Sequence, residues 1–206
     1  MKKNCAPLVV PCCVIGLDQS YTKTAIAVCH NVGSCCKICS VDTLKGAGMT
    51  KTQYRQRLTA LLGSVLQRVR EQWPAVPIAV VYERPRLHSQ GHISTAYLLS
   101  IGGLNAAIID FAAVNSLPCY SVDTRAWRSA VVGTAKQHPN KKGIPPEKYY
   151  TVKHFCQAGY ADLIKLFDER KKKTVYDHDI ADAMGIAMSC CVLCREGRQQ
   201  LLKQEG

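Results

Sequence analysis

The sequence predicts an α/β fold: a mixed five-stranded sheet flanked by helices. Three observations carry this. The chain opens with three short apolar runs joined by polar turns. Strand-length apolar runs and stretches of helical periodicity then alternate. Finally, 206 residues with 47% hydrophobic and 20% charged side chains suffice for a proper core and show no compositional sign of disorder.

The first run, Cys12-Cys-Val-Ile-Gly-Leu-Asp18, ends in an acid and reads as a buried strand. Thr24 to Cys29 and Cys35 to Leu44 follow, with turn residues Asn31-Val-Gly-Ser34 between them. Short turns between successive strands predict an antiparallel meander. Over Lys51 to Trp73, the residues Leu58, Leu61, Leu62, Val65, Leu66 and Val69 recur at three- and four-residue spacing, which predicts a helix ended by Pro74 and Pro77. Ile78 to Tyr82 reads as a buried strand with Glu83 at its end. Arg84 to Thr95 reads as a loop, and Ala96 to Asn115 as a helix with small residues at Gly102, Gly103, Ala106 and Ala107. Pro118 to Val122 is the fifth strand and Arg125 to Val132 a short helix. Residues 133–148 read as a basic, Pro- and Gly-rich loop. Tyr149 to Phe167 reads as a helix, Asp168 to Thr174 as a charged connector, Asp179 to Leu193 as the last helix, and Arg195 onward as a polar tail. All of this is assigned to one domain over 1–206, with its core at roughly 12–194.

The net charge is +12. Such a surplus of Lys and Arg predicts a polyanionic partner, nucleic acid before all others. A membrane-surface protein would need a basic amphipathic helix or a lipidation motif, and neither is found. The apolar run near Met1 to Val10 is interrupted by Pro7 and Pro11 and is too short for a signal or a span. Twelve cysteines without a secretory leader read as reduced thiols in a cytoplasmic, DNA-associated protein.

The fifteen acids are few enough for their placement to matter. Asp18 and Glu83 stand at the ends of predicted core strands. Asp179 and Asp182 are spaced i, i+3 at the start of an apolar helix and share a face. Any one of these has an ordinary explanation: a turn former, an ion pair of Glu83 with Arg84 or Arg86, or acids favoured at a helix N-terminus. Together they describe a carboxylate cluster whose mutual repulsion requires cations. Hard divalent ions such as Mg²⁺, for which Mn²⁺ substitutes, match oxygen ligands. Two such ions can activate water and steady the leaving oxygen in phosphodiester hydrolysis.

The segments Ile15-Gly-Leu-Asp18-Gln-Ser20, Val81-Tyr-Glu83-Arg-Pro85 and Asp179-Ile-Ala-Asp182-Ala183 resemble the three acidic motifs of RuvC-type Holliday-junction resolvases, in the RNase H-like superfamily. Ile101-Gly-Gly-Leu-Asn-Ala106 and Trp127-Arg-Ser-Ala-Val-Val-Gly133 resemble the segments between those motifs, so the likeness covers roughly Val14 to Met188. The resemblance implies an RNase H-like fold. It implies a homodimer that cuts four-way junctions and other branched DNA in paired nicks. It also implies Asp18, Glu83, Asp179 and Asp182 as metal ligands. His178 or Asp177 could replace or supplement Asp179. Lys136, Lys141 and Lys142 are candidates for a catalytic-region lysine, and Arg84, Arg86, His88, Lys141, Lys142 and Lys148 for DNA contact.

Bacterial members carry a junction-wedging aromatic shortly after the second acid. This chain reads Arg84-Pro-Arg-Leu-His-Ser89 there, leaving Leu87, His88 or His92 for that task. The expanded basic segment resembles phage or mobile-element forms. Two other activities remain open: an RNase H-like nuclease acting on flaps or RNA–DNA hybrids, and a non-catalytic DNA-binding protein.

Cys36-Lys-Ile-Cys39 and Cys191-Val-Leu-Cys194 have zinc-like spacing but fall in a predicted strand and a predicted helix, where cysteines serve as small hydrophobes. Trp127 and Tyr149-Tyr150 are read as core packing before base stacking, and Gln19-Ser20 as a polar turn that could reach phosphate.

Overall fold

The computed structural model describes residues 13–32, 35–84, 95–133, 146–168 and 173–205. A six-stranded sheet organises them. β1 (Cys13–Asp18), β2 (Lys23–Val32) and β3 (Cys35–Lys45) form the expected antiparallel meander. α1 (Lys51–Gln72) leads to β4 (Ile78–Glu83), which pairs parallel to β1. α2 (Thr95–Val114) leads to β5 (Cys119–Val122), parallel to β4. Then come α3 (Thr124–Val131), α4 (Pro146–Gln157), the single turn α5 (Ala161–Ile164), a hairpin of β6 (Lys165–Asp168) with β7 (Lys173–Tyr176), α6 (His178–Arg195) and β8 (Leu202–Glu205). The order across the sheet is β3-β2-β1-β4-β5-β8.

Strand alternation divides the core in two. Val14, Ala25, Ala27, Ala79 and Val81 face α6, with α3 and α4 around it. Cys13, Ile15, Leu17, Val80 and Tyr82 face α1 and α2. The expected stripe of α1 is buried at Leu58, Leu62, Val65, Leu66 and Val69, and a Thr50/Gln53 capping box fixes its start.

Two glycines let α6 pack closely, Gly16 against the sheet and Gly185 against α3. A Cβ on Gly16 would stand 2.5 Å from the backbone nitrogen of Ala187, and one on Gly185 would stand 2.5 Å from the Trp127 ring. The helix is seated by backbone-to-backbone approach, so its position along β1 is fixed.

The sheet departs from the expected five strands at two places. The polar tail forms β8, which pairs antiparallel to β5 and buries Leu202. Its Lys203-Gln-Glu205 surface made it read as tail, yet β5 offered an unpaired edge. The helix expected over Tyr149 to Phe167 stops earlier, at Gln157. Gly159 takes a left-handed φ of 87° there, and the chain restarts as α5 and a hairpin where a helix end and a charged connector were expected. The expected loop at 133–148 is helical from Pro146 onward.

Candidate active site

Asp18 and Glu83 close neighbouring parallel strands. The register runs from Cys13↔Ile78 to Leu17↔Tyr82, so the two acids stand one step beyond the last pair. Adjacent strands lie roughly 4.8 Å apart. Alternation puts Asp18 on the face of Val14 and Gly16, and Glu83 on that of Ala79 and Val81, which is the face that α6 covers. Gln19 ties the two strand ends together. Its buried Nε2 donates to the Glu83 carbonyl at 2.7 Å and to Asn105 Oδ1 of α2 at 3.1 Å.

Both Glu83 oxygens are held. Thr124 Oγ1 donates to Oε1, and Trp127 Nε1 donates to Oε2 at 2.9 Å. Trp127 is fully buried, as the core reading expected. Arg84 turns its guanidinium to Ser121, with Nε 3.2 Å from the hydroxyl.

α6 brings the second pair of acids. Asp177 is its N-cap, accepting from the backbone nitrogens of Asp179 at 3.1 Å and Ile180 at 3.3 Å. Lys23, at the start of β2 and on the α6 face, pairs with Asp177 and lies 3.3 Å from Asp179 Oδ2. Asp182 is 4% exposed and accepts from Arg128 of α3 at 3.0 Å. The Arg128 guanidinium also stacks 4.8 Å from the Trp127 ring centroid. Asp177 thus has a structural task of its own, and His178 sits beside it in the first turn.

The four expected acids therefore occupy one edge of the sheet, Asp18 and Glu83 on the strands and Asp179 and Asp182 on the helix laid over them. Their charge is offset by Lys23 and Arg128 and by the Thr124 and Trp127 donors. Among the described residues, the group of three or more metal-ligating side chains with donor atoms all within 4.8 Å of one another is Cys29, Cys36 and Cys191, which is not an acidic group. By their chemistry, the carboxylate oxygens of these acids are donors suited to a hard divalent cation.

Lys23, Thr124, Trp127 and Arg128 were not expected as site partners. Thr124, Trp127 and Arg128 are spaced i, i+3, i+4 behind the N-cap Asp123, a spacing that puts three donors on one helix face. Arg86, His88, Lys136, Lys141 and Lys142 lie outside the described residues, as do Leu87, His92 and the side chain of Lys148.

No protein-family model matches the sequence, and no curated protein matches it. Solved structures do. RuvC of Thermus thermophilus is 19% identical, with a TM-score of 0.64 over 94% of this chain and 99% of that one. The same protein in complex with a Holliday junction substrate gives 18% identity and a TM-score of 0.65, over 94% of this chain and 99% of that one. The yeast mitochondrial Holliday junction resolvase gives 16% identity and 0.52, over 91% of this chain and 82% of that one. With the strand order, the parallel β1–β4 pair and α6 laid on β1, these likenesses give the conclusion that the chain has the fold of the RuvC-type resolvases, an RNase H-like α/β fold.

Proposed function

We propose that the chain is a metal-dependent endodeoxyribonuclease that resolves four-way DNA junctions by paired nicks, acting as a homodimer of one nuclease domain spanning 1–206. The observation that carries this reading is that Asp18 and Glu83 end neighbouring parallel strands on the sheet face covered by the helix that bears Asp179 and Asp182. The junction-bound Thermus thermophilus relative supports the choice of substrate. The +12 charge supports DNA as the partner of a soluble, cytoplasmic protein.

Asp18, Glu83, Asp179 and Asp182 are the residues that would hold Mg²⁺ or Mn²⁺, with His178 as a possible supplement. When bound, the ions would supply an activated water and charge stabilisation at the leaving oxygen. The protein's own part is positional. Thr124 and Trp127 fix the Glu83 carboxylate, Gln19 fixes the Asp18 turn, and Lys23 holds the first turn of α6 against β2. Of the residues proposed for DNA contact, Arg84 stands beside Glu83 at the strand end.

The dimer has a surface to use. The inner face of α2 is buried at Leu104, Ile108, Phe111 and Ala112, while Tyr97, Leu98 and Leu99 face outward, Leu99 being 73% exposed. By length and composition α2 could also cross a membrane, but its inner face is committed to the sheet. A second copy covers the outer face in our reading. Leu99→Glu is then expected to weaken self-association about tenfold or more, read by analytical ultracentrifugation. An unchanged association would remove α2 from the interface.

The activity is tested on synthetic mobile junction, flap and RNA–DNA hybrid substrates with Mg²⁺ titrated from zero. Symmetric nicks across the junction, dependent on Mg²⁺, are expected. Preference for the flap or the hybrid would redirect the assignment, and binding without product at every Mg²⁺ concentration would make the protein a non-catalytic binder.

A further inference from the structure

Three of the described cysteines converge away from the acidic edge. Cys29 lies on β2, Cys36 on β3 and Cys191 on α6, all buried, with their sulfurs within 4.8 Å of one another. The register explains the meeting. Cys29 pairs with Ile38, and Cys36 lies two residues further along β3, on the same face and diagonally opposite Cys29. α6 crosses that face and lowers Cys191 onto the pair. The two C-x₂-C motifs are thereby split. On a strand, residues three apart point to opposite faces, so Cys39 is exposed while Cys36 is buried.

We propose that Cys29, Cys36 and Cys191 form a binding site for one soft divalent cation of the zinc class, with Arg195 at its rim. Thiolate sulfur excludes hard ions. Ligands about 2.3 Å from one zinc lie roughly 3.8–4.0 Å from each other, so at most about 1 Å of closure is needed. Charge selects the divalent state. Three thiolates around a dication leave one negative charge, and the Arg195 guanidinium, 3.1 Å from Cys36 Sγ, neutralises it. A monovalent soft ion would leave a further charge stranded in the core. Cys36, 8% exposed, marks the solvent side, where a water can complete four-coordination.

The proton distribution agrees with this geometry. Hydrogen bonds with Cys191 and Cys29, aided by Arg195, hold the Cys36 thiol far below the usual thiol range, while Cys29 is pushed up by its bonds to Cys191 and Cys36. Zinc binding would release the remaining thiol protons of the cluster. Such an ion would staple the C-terminal half of α6 to β2 and β3, at the opposite end of the helix from Asp179 and Asp182.

The test uses the full chain, purified under reducing conditions, exposed to zinc and dialysed against metal-free buffer. Metal content is read by atomic emission. A parallel Cd²⁺ titration reads thiolate-to-metal charge-transfer absorbance. One equivalent is expected in the wild type and in Cys39→Ser, with affinity lowered about tenfold or more in Cys36→Ser and Cys191→Ser. Zinc should also raise the wild-type Tm and raise that of Cys36→Ser by less. Neither readout depends on DNA cleavage, so failure here leaves the nuclease proposal standing, and the converse holds. A wild type that retains no zinc and shows no charge-transfer band overturns the site, as does full retention by Cys36→Ser. If circular dichroism shows that the serine variants do not fold, Arg195→Met decides: about tenfold weaker binding supports the site, and unaltered binding overturns it.

Discussion

Asp18→Asn is expected to lower junction cleavage by more than about 10²-fold while leaving junction binding intact. The magnitude follows from rank. Loss of partners that only orient a ligand typically costs 10–100-fold in metal affinity or activity, so loss of a proposed ligand's own charge should cost more. The substitution keeps the shape of the side chain and disturbs little of the fold, because Asp18 ends its strand and Leu17, one step inside, carries the packing. Binding should survive because attraction to phosphates comes from the basic surplus, and removing one negative charge cannot weaken it. Single-turnover cleavage and a Mg²⁺-free gel shift measure the two quantities separately. Cutting at the wild-type rate by Asp18→Asn would refute the nuclease assignment for this edge of the sheet.

Gly16→Ala is expected to destabilise the fold by about 2–3 kcal/mol, a large effect for one methyl group. The added Cβ would meet the Ala187 nitrogen at 2.5 Å, its Cβ at 2.6 Å and its Cα at 2.7 Å. None of these can rotate away, so α6 would have to rise off β1. Gly63 supplies the contrast. It lies inside α1, with nothing within 4 Å of an added Cβ, so Gly63→Ala should stabilise by about 0.5–1 kcal/mol through helix propensity. Urea denaturation of the two variants checks the opposite signs. Because α6 carries Asp179 and Asp182, Gly16→Ala should also slow cleavage, whereas Gly63→Ala should not. Equal stabilities for the two variants would mean that α6 is not seated as described.

Much of this architecture could be read from the residues. The meander, α1, β4 and β5 followed from apolar runs of the right length between turn residues, and the acids could be found because each ended a strand or opened a helix. What escaped depended on partners far along the chain. Nothing local marks Leu202 to Glu205 as a strand, since its ladder is made with Cys119 to Val122. The cysteine cluster was hidden by its spacing. Cys36 and Cys39 look like a pair, but the pleat sends them to opposite sides, and the true neighbours of Cys36 come from residues 29 and 191. Lys23 was passed over because a lysine opening a strand looks like solvent-facing charge. Its parity with Ala25 and Ala27 turns it inward to Asp177 and Asp179.

The pairing of β8 with β5 also bears on how copies of the chain meet in solution. Without β8, the short β5 strand would present open amide and carbonyl groups to any passing strand, the usual starting point for runaway sheet growth. Leu202 to Glu205 occupies those groups, and Glu205 locks the seal by accepting from the Ser121 hydroxyl at 2.7 Å. The outer edge of the sheet thus passes to a four-residue strand carrying Lys203, and a short, charged edge is a poor template for such growth.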